Sequence, residues 1–376
     1  MNLIKKSTKI IKSLQLENGG LLATPKIGAY PYIYPRDAVI MTKALNRVGM
    51  VKRSEKFYYF INKIANVARY EEVFHRYNVN GWPCVTRIDQ NDNEGLVIHG
   101  IYDTYLHNKK HVFLEDAWML VKQIVGLIKD YSKTGLVTTK RSIHEFYRLE
   151  HGYDIWVNSA CCRGLYDAAE IAKLMNRDKE AQEWYERAEK LKKNIQKRFF
   201  DKKLKVYMKN LRFKGVPDTS QIAPFYFEIE DSKLLLKNTL KYLKENLWHN
   251  EVGGFRRFRK FEIVEDWHWY SGGSGSWCVL TAIMARFFKK AGDKKSYRQC
   301  CNWLDKVASR SNGLLPEHIA TKYEYEDWKA HEVEFNQRVI NGTKQAERLA
   351  KKFKEDLIYW ATPLGWSHAE YILLHK

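Results

Sequence analysis

Apolar residues recur at steps of three and four along most of the chain, with charged residues filling the positions between them. That spacing lines apolar side chains along one face of a helix. It predicts helices over residues 38–48, 54–70, 96–106, 114–131, 159–175, 179–200, 232–245, 276–291, 296–310 and 343–359. Leu3, Ile4, Ile10, Ile11 and Leu14 add an amphipathic first helix, and another helix follows Trp366 at the end of the chain. Asn176-Arg177-Asp178, Gly292-Asp293 and Asn312-Gly313 carry the turn residues that separate or close helices.

The connections alternate in character. Some are short turns, whereas residues 28–37, 81–95, 145–158, 209–224, 253–275, 313–338 and 361–367 form long segments rich in Gly and aromatic residues. A closed ring of helical hairpins gathers all its long loops at one end, where a rigid scaffold presents functional residues. The pattern therefore predicts an all-α fold, an (α/α)6 toroid of six hairpins with about sixty residues each. The stretch around Glu183-Trp184-Tyr185 and Ala188 has a tetratricopeptide flavour. A solenoid would need a repeat of fixed period, which the chain lacks. No Pro/Gly/Ser linker divides residues 1–376, so a single domain is expected.

Composition narrows the function classes. At 376 residues and 45% hydrophobic, the chain buries a large core. Aromatics reach 14%, with 12 Trp and 23 Tyr. A helical core consumes most of them, and the remainder suits a cleft in which rings stack on sugar faces. The formal charge of +20 draws polyanions nonspecifically, but the lysines are spread along the chain. No zinc-finger spacing or RNA-binding signature accompanies them, so specific nucleic-acid binding is not expected. Cys84, Cys161, Cys162, Cys278, Cys300 and Cys301 contain no CxxC pattern. They read as buried free thiols of a reducing compartment, without a structural metal. The N-terminal MNLIKKSTKIIKSLQ lacks an apolar core followed by a cleavage site, and no apolar run is long enough to span a membrane. A cytoplasmic protein without membrane attachment is expected.

Four segments carry candidate chemistry. Tyr30-Pro31-Tyr32-Ile33-Tyr34-Pro35-Arg36-Asp37-Ala38 sets an Arg fork and a carboxylate behind three tyrosines at the mouth of a helix. Such a pair grips sugar hydroxyls while the rings wall the sugar. A helix-capping Asp with a surface Arg is an equal reading of that segment alone. Glu145-Phe146-Tyr147-Arg148-Leu149-Glu150-His151-Gly152-Tyr153-Asp154-Ile155-Trp156 holds carboxylates among rings before a helix. Leu314-Leu315-Pro316-Glu317-His318 places a glutamate after a stiffening proline. The Trp-bearing loop Thr362-Pro363-Leu364-Gly365-Trp366-Ser367-His368-Ala369-Glu370-Tyr371 opens the last helix.

These segments resemble, in order, the signatures of glycoside hydrolase family 15, the glucoamylases and their relatives. Tyr34-Pro35-Arg36-Asp37-Ala38 resembles Trp-Pro-Arg-Asp-Ala, and Leu315-Pro316-Glu317-His318 resembles Leu-Pro-Glu-Gln. Residues 363–371 closely resemble Pro-Leu-x-Trp-Ser-His-Ala-Glu-Tyr, and Gly272-Gly273 with Trp277 resembles an aromatic-Gly-Gly-x-x-Trp turn. The stretch from Gly152 to Leu165 is similar to that following the family's catalytic acid. The resemblance runs over nearly the whole chain and implies an exo-acting, inverting α-glucosidase. Glu317 is its implied general base. Glu150 is its implied general acid, with Glu145 as the fallback, because the family's Trp-Glu-Glu run is replaced here by Arg148-Leu149-Glu150.

Tyr30, Tyr34, Arg36, Asp37 and Trp366 are the implied glucose-binding residues, with Asp92 and Trp267 as further polar and aromatic candidates. The implied partner is an α-glucan or oligosaccharide, with no cofactor and no metal. Many relatives carry a β-sandwich before the barrel, and this chain is expected to lack one. A trehalase or isomaltose hydrolase of the same fold, a non-catalytic glucan-binding or regulatory module, and a basic nucleic-acid-binding scaffold are the competing readings.

Overall fold

Two kinds of helix alternate along the chain, distinguished by how much of their circumference is apolar or buried. In a computed structural model of the protein, residues 2–68, 73–84, 90–145, 150–258, 275–326, 337–353 and 356–376 are described. Helices α2 (Pro35–Arg47), α4 (Asp92–Asn108), α6 (Ile155–Leu174), α8 (Ala223–Tyr226), α10 (Cys278–Ala291) and α13 (Gly365–His375) form the inner ring. Most of their residues are buried, polar ones included. Helices α1 (Leu3–Leu14), α3 (Val51–Ala68), α5 (His111–Tyr131), α7 (Asp178–Phe199), α9 (Lys233–Leu247) and α11 (Lys294–Arg310) lie outside. Helix α7 shows the amphipathic rule directly: Trp184, Ala188, Leu191, Ile195 and Phe199 are buried at helical spacing, and its other residues are not. Helix α12 (Gln337–Phe353) packs outside the ring against a small sheet.

The ring closes by side-chain contact. Helix α2 packs on α4, α4 on α6, α6 on α8, α10 on α13, and α13 back on α2. Between α8 and α10, the Tyr226 ring lies 6.5 Å from the Phe287 ring. The α4–α6 contact is close because both helices offer glycine. A Cβ on Gly95 would come within 2.2 Å of the Ala160 carbonyl oxygen, and one on Gly164 within 2.6 Å of the Gly95 Cα. The sixth hairpin joins the chain ends, with α1 packed on α13. Each inner helix is entered from a long connection, so the long loops gather at the N-terminal end of the ring.

Apart from the 343–359 helix, the predicted ends lie within four residues of the observed ones, and several helices start earlier where capping groups lie ahead of the apolar stripe. Asp154 caps α6 by accepting from the Trp156 and Val157 amides, and Pro35 opens α2. The strands depart from the predicted pattern. Ser276–Trp277 (β3), His318–Thr321 (β4) and Leu357–Trp360 (β5) form an antiparallel sheet in the order β3-β4-β5, while Phe200–Asp201 (β1) pairs with Val206–Tyr207 (β2). The 343–359 helix thus ends at Phe353 and gives way to β5. A four-residue apolar run such as Leu357-Ile358-Tyr359-Trp360 has no period of its own, and only its pairing with β4 decides its conformation. Among the described residues, no helix is long and apolar enough to cross a membrane. All six cysteines are unpaired, with Cys84 and Cys301 only half-buried.

Candidate active site

Glu317 sits where the small sheet meets the ring. Its amide donates to the Trp360 carbonyl at 3.0 Å and its carbonyl accepts from the Cys278 amide at 3.1 Å, so strand β5 and the first residue of α10 fix its backbone. Its side chain stays 15% exposed, with the His318 Nδ1 at 3.2 Å. The His318 ring stacks on Trp277, their centroids 5.1 Å apart. On the other side, Trp360 donates its indole N–H to the Tyr30 hydroxyl at 2.6 Å, which in turn donates to Glu317 Oε2 at 3.3 Å. Such a relay polarises each bond in it and holds the carboxylate in one orientation. Burial, then the nearby Glu317 charge, pushes the Tyr30 hydroxyl's pKa well up, so it remains a donor.

Across from it lies a cationic anchor at the start of α2. Arg36 donates to Asp92 Oδ2 at 2.9 Å and to Glu145 Oε1 at 3.4 Å, and its guanidinium lies 5.7 Å from the centre of the Trp366 ring. Burial opposes its charge, yet Asp92, Glu145 and Asp37 together hold its pKa above the ordinary value. Asp37 is nearly buried beside it. Burial pushes the Asp37 carboxyl up to about 7, against the pull of Arg36 and with a push from Glu145 and Glu317. The Tyr34 hydroxyl accepts from Arg76 at 3.4 Å, and its ring meets those of Tyr30 and His75 edge-on. Glu145 is 23% exposed and lies 3.3 Å from His75 Nε2. Its backbone adopts φ +60°, a left-handed conformation that is uncommon for a residue with a Cβ and that concentrates at functional sites.

The structure therefore gathers Tyr30, Tyr34, Arg36, Asp37, Trp366 and Glu317, and it adds Glu145 to them. Glu150 stands elsewhere. Its side chain is fully enclosed, and its two oxygens accept from the backbone amides of Ser142 and His144, each at 2.8 Å. Asp92 is also completely buried. It supports Arg36 and accepts from the Trp156 indole at 3.0 Å instead of facing the open site. Trp267 and the Gly272-Gly273 turn lie outside the described residues. Among the described residues, no group of three or more His, Cys, Asp or Glu side chains converges as metal ligands.

The signature at the head of α13 acts on Glu317 from behind. Ser367 Oγ donates to the Pro316 carbonyl at 2.6 Å, and His368 Nε2 accepts from the Leu315 amide at 3.0 Å. That leaves the His368 proton on Nδ1, which donates to Ser7 Oγ at 2.9 Å and ties in α1. Burial pushes the His368 pKa down to about 3, so the unfolded chain takes up a proton between there and about 6.5 that the folded one refuses. Its contribution to stability is complete above the upper value and is lost as pH falls through the window. His368→Gln is expected to reduce the loss of unfolding free energy between about pH 7 and about pH 4 by a few kcal/mol, on the order of 1.4 per pH unit. Urea unfolding of both proteins at the two pH values measures it, and parallel losses would mean that His368 titrates normally.

Comparison with known proteins agrees with this architecture. Residues 126–300 match the family described as the mannosylglycerate hydrolase MGH1-like glycoside hydrolase domain. The chain is 22% identical over 338 residues to an uncharacterized glycosyl hydrolase of Methanocaldococcus jannaschii, a match taking in 85% of this chain and 51% of the relative. The chain thus spans about half the length of that curated relative. A wild-type glycosidase superposes with a TM-score of 0.76 at 18% identity, covering 99% of this chain and 95% of its own. A bacterial glucoamylase complexed with acarbose gives 0.72 at 17% identity, covering 99% and 55%. The glucoamylase of Saccharomycopsis fibuligera gives 0.64 at 14%, covering 99% and 94%. At such identities the likeness establishes the fold alone: the chain has an (α/α)6 toroid architecture.

Proposed function

We propose that this protein is a glycoside hydrolase of the glucoamylase family 15 type, an exo-acting and inverting α-glucosidase that releases β-glucose from the non-reducing end of α-glucans or malto-oligosaccharides. One observation carries the reading. A continuous run of contacts joins Glu317 to Glu145: Tyr30 donates to Glu317, the Tyr34 ring meets those of Tyr30 and His75, and His75 and Arg36 both reach Glu145, so two partly exposed carboxylates share one wall of tyrosines anchored by Arg36 and Asp37. Glu317 is the general base, oriented by Tyr30 and His318 to take a proton from water. Glu145, and not the enclosed Glu150, is the general acid that protonates the leaving glycosidic oxygen. Inverting pairs of this kind work at about 6.5–9.5 Å, with the water between base and sugar. Arg36, Asp37 and Tyr34 bind the terminal glucose, and Trp366 supports that wall through Arg36.

A second reading concerns the leaving group. The matched family takes its name from a mannosylglycerate hydrolase, in which the hexose is joined to a small acidic alcohol and not to a glucan. The strongly basic chain suits such an aglycone. Maltose, maltotriose, soluble starch, isomaltose, trehalose and mannosylglycerate are therefore the discriminating panel, with the released anomer followed by proton NMR. Release of β-glucose from one of the glucosides is expected. Turnover of mannosylglycerate alone would establish the second reading, and folded protein that turns over none of them would leave a sugar-binding module.

A further inference from the structure

Lys209 has no exposure to solvent. Lys209 Nζ stands 3.2 Å from Asp218 Oδ2, 3.3 Å from Asp154 Oδ2 and 3.5 Å from Glu150 Oε1, and all four side chains are fully buried. A charge in such a place is costly unless its neighbours compensate it. Burial works against the Lys209 charge, but the three carboxylates hold its pKa above the ordinary value.

Those three carboxylates also have a common target. Glu150 accepts from the amides of Ser142 and His144. Asp154 Oδ1 accepts from Ser142 Oγ at 2.7 Å. Asp218 Oδ1 lies 2.8 Å from His144 Nε2. Each acid that Lys209 touches therefore grips the Ser142–His144 segment, by backbone, by hydroxyl or by imidazole. The next residue is Glu145, whose amide closes a turn onto the Ser142 carbonyl at 3.0 Å and whose φ is +60°. Arg257 adds a fourth tether, donating to the His144 carbonyl at 3.2 Å.

We infer that Lys209 is a positioning residue for the acid: its charge offsets part of that on Glu150, Asp154 and Asp218, so that together they hold the 142–144 turn and aim Glu145 at the glycosidic oxygen. The inference rests on Glu145 being the general acid. A displacement of about 1 Å in such a group costs on the order of 10²-fold in rate. The loss falls on substrates whose leaving group needs a proton, and an alkoxide does while fluoride does not.

The test compares the full-length wild type with Lys209→Met on two substrates. One is whichever of maltose, isomaltose and trehalose the wild type cleaves, and the other is α-glucosyl fluoride. Lys209→Met is expected to lose about 10²-fold in kcat on the disaccharide with little change in KM, while fluoride hydrolysis stays within about threefold. Equal losses on both substrates, or no loss on either, would overturn the positioning role while leaving the acid assignment standing. Wild-type protein that hydrolyses neither substrate would remove the α-glucosidase reading itself, and this inference with it. Should Lys209→Met not fold, Ser142→Ala removes one hydroxyl from the same network and must show the same split at smaller size; a uniform effect there is equally fatal.

Discussion

Glu145→Gln and Glu317→Gln are each expected to lower turnover of the disaccharide substrate by roughly 10²–10⁴-fold, the span a single acid or base contributes. The two variants then separate on α-glucosyl fluoride. The carboxamide that Glu145→Gln introduces cannot protonate an alkoxide, but fluoride leaves unaided, so this variant should recover most of the wild-type rate. Glu317→Gln lacks the group that activates water, and every leaving group still needs that water, so its deficit should persist. The geometry behind the contrast is the asymmetry of the two surroundings. Glu317 is held by a hydroxyl and an imidazole, Tyr30 and His318, on a backbone clamped between β5 and the start of α10. Glu145 is held by Arg36 and His75 on a turn in left-handed conformation. Steady-state kinetics on both substrates measure the split. A Glu145→Gln variant with full disaccharide turnover would move the acid elsewhere, and persistence of both deficits on fluoride would contradict the division of labour.

Much of this site is legible in the residues alone. The ring of hairpins follows from helical periodicity and from the alternation of short and long connections, because both are local properties of the chain. The Tyr30–Asp37 and Leu315–His318 segments each deliver side chains within one continuous run, so they too can be read from the residues. What the chain order hides is pairing between distant segments. His75, Trp360, Lys209 and Trp277 enter the site or its support from four different connections, and no spacing rule links them to Glu317 or Glu145. The choice between Glu145 and Glu150 shows the limit most clearly. The two glutamates lie five residues apart in a segment full of rings, and what separates them is what each oxygen meets. Glu150 finds two backbone amides and a lysine, and Glu145 finds an arginine and partial access to solvent. The departure from a Trp-Glu-Glu run, which reads as a damaged acid site, is on this view a relocation of the acid upstream with Glu150 kept as its scaffold.

That relocation has a thermodynamic consequence. Glu150→Ala would strip the Ser142 and His144 amides of their acceptor and leave Lys209 with two of its three counter-charges. Lys209 stays compensated by Asp154 and Asp218, so the cost falls on the two buried amides, about 1–3 kcal/mol for each donor left without an acceptor. Glu145→Gln removes only a partly exposed carboxylate, and Arg36 keeps its shorter bond to Asp92. Its cost should be about 1 kcal/mol or less. Urea midpoints of the two variants and the wild type decide the matter without any substrate. A large shift for Glu150→Ala beside a small one for Glu145→Gln would assign folding to one glutamate and leave the other to chemistry. A stable Glu150→Ala protein would mean that the buried cluster does not hold the turn, and the case for Glu145 would then rest on its partial exposure alone.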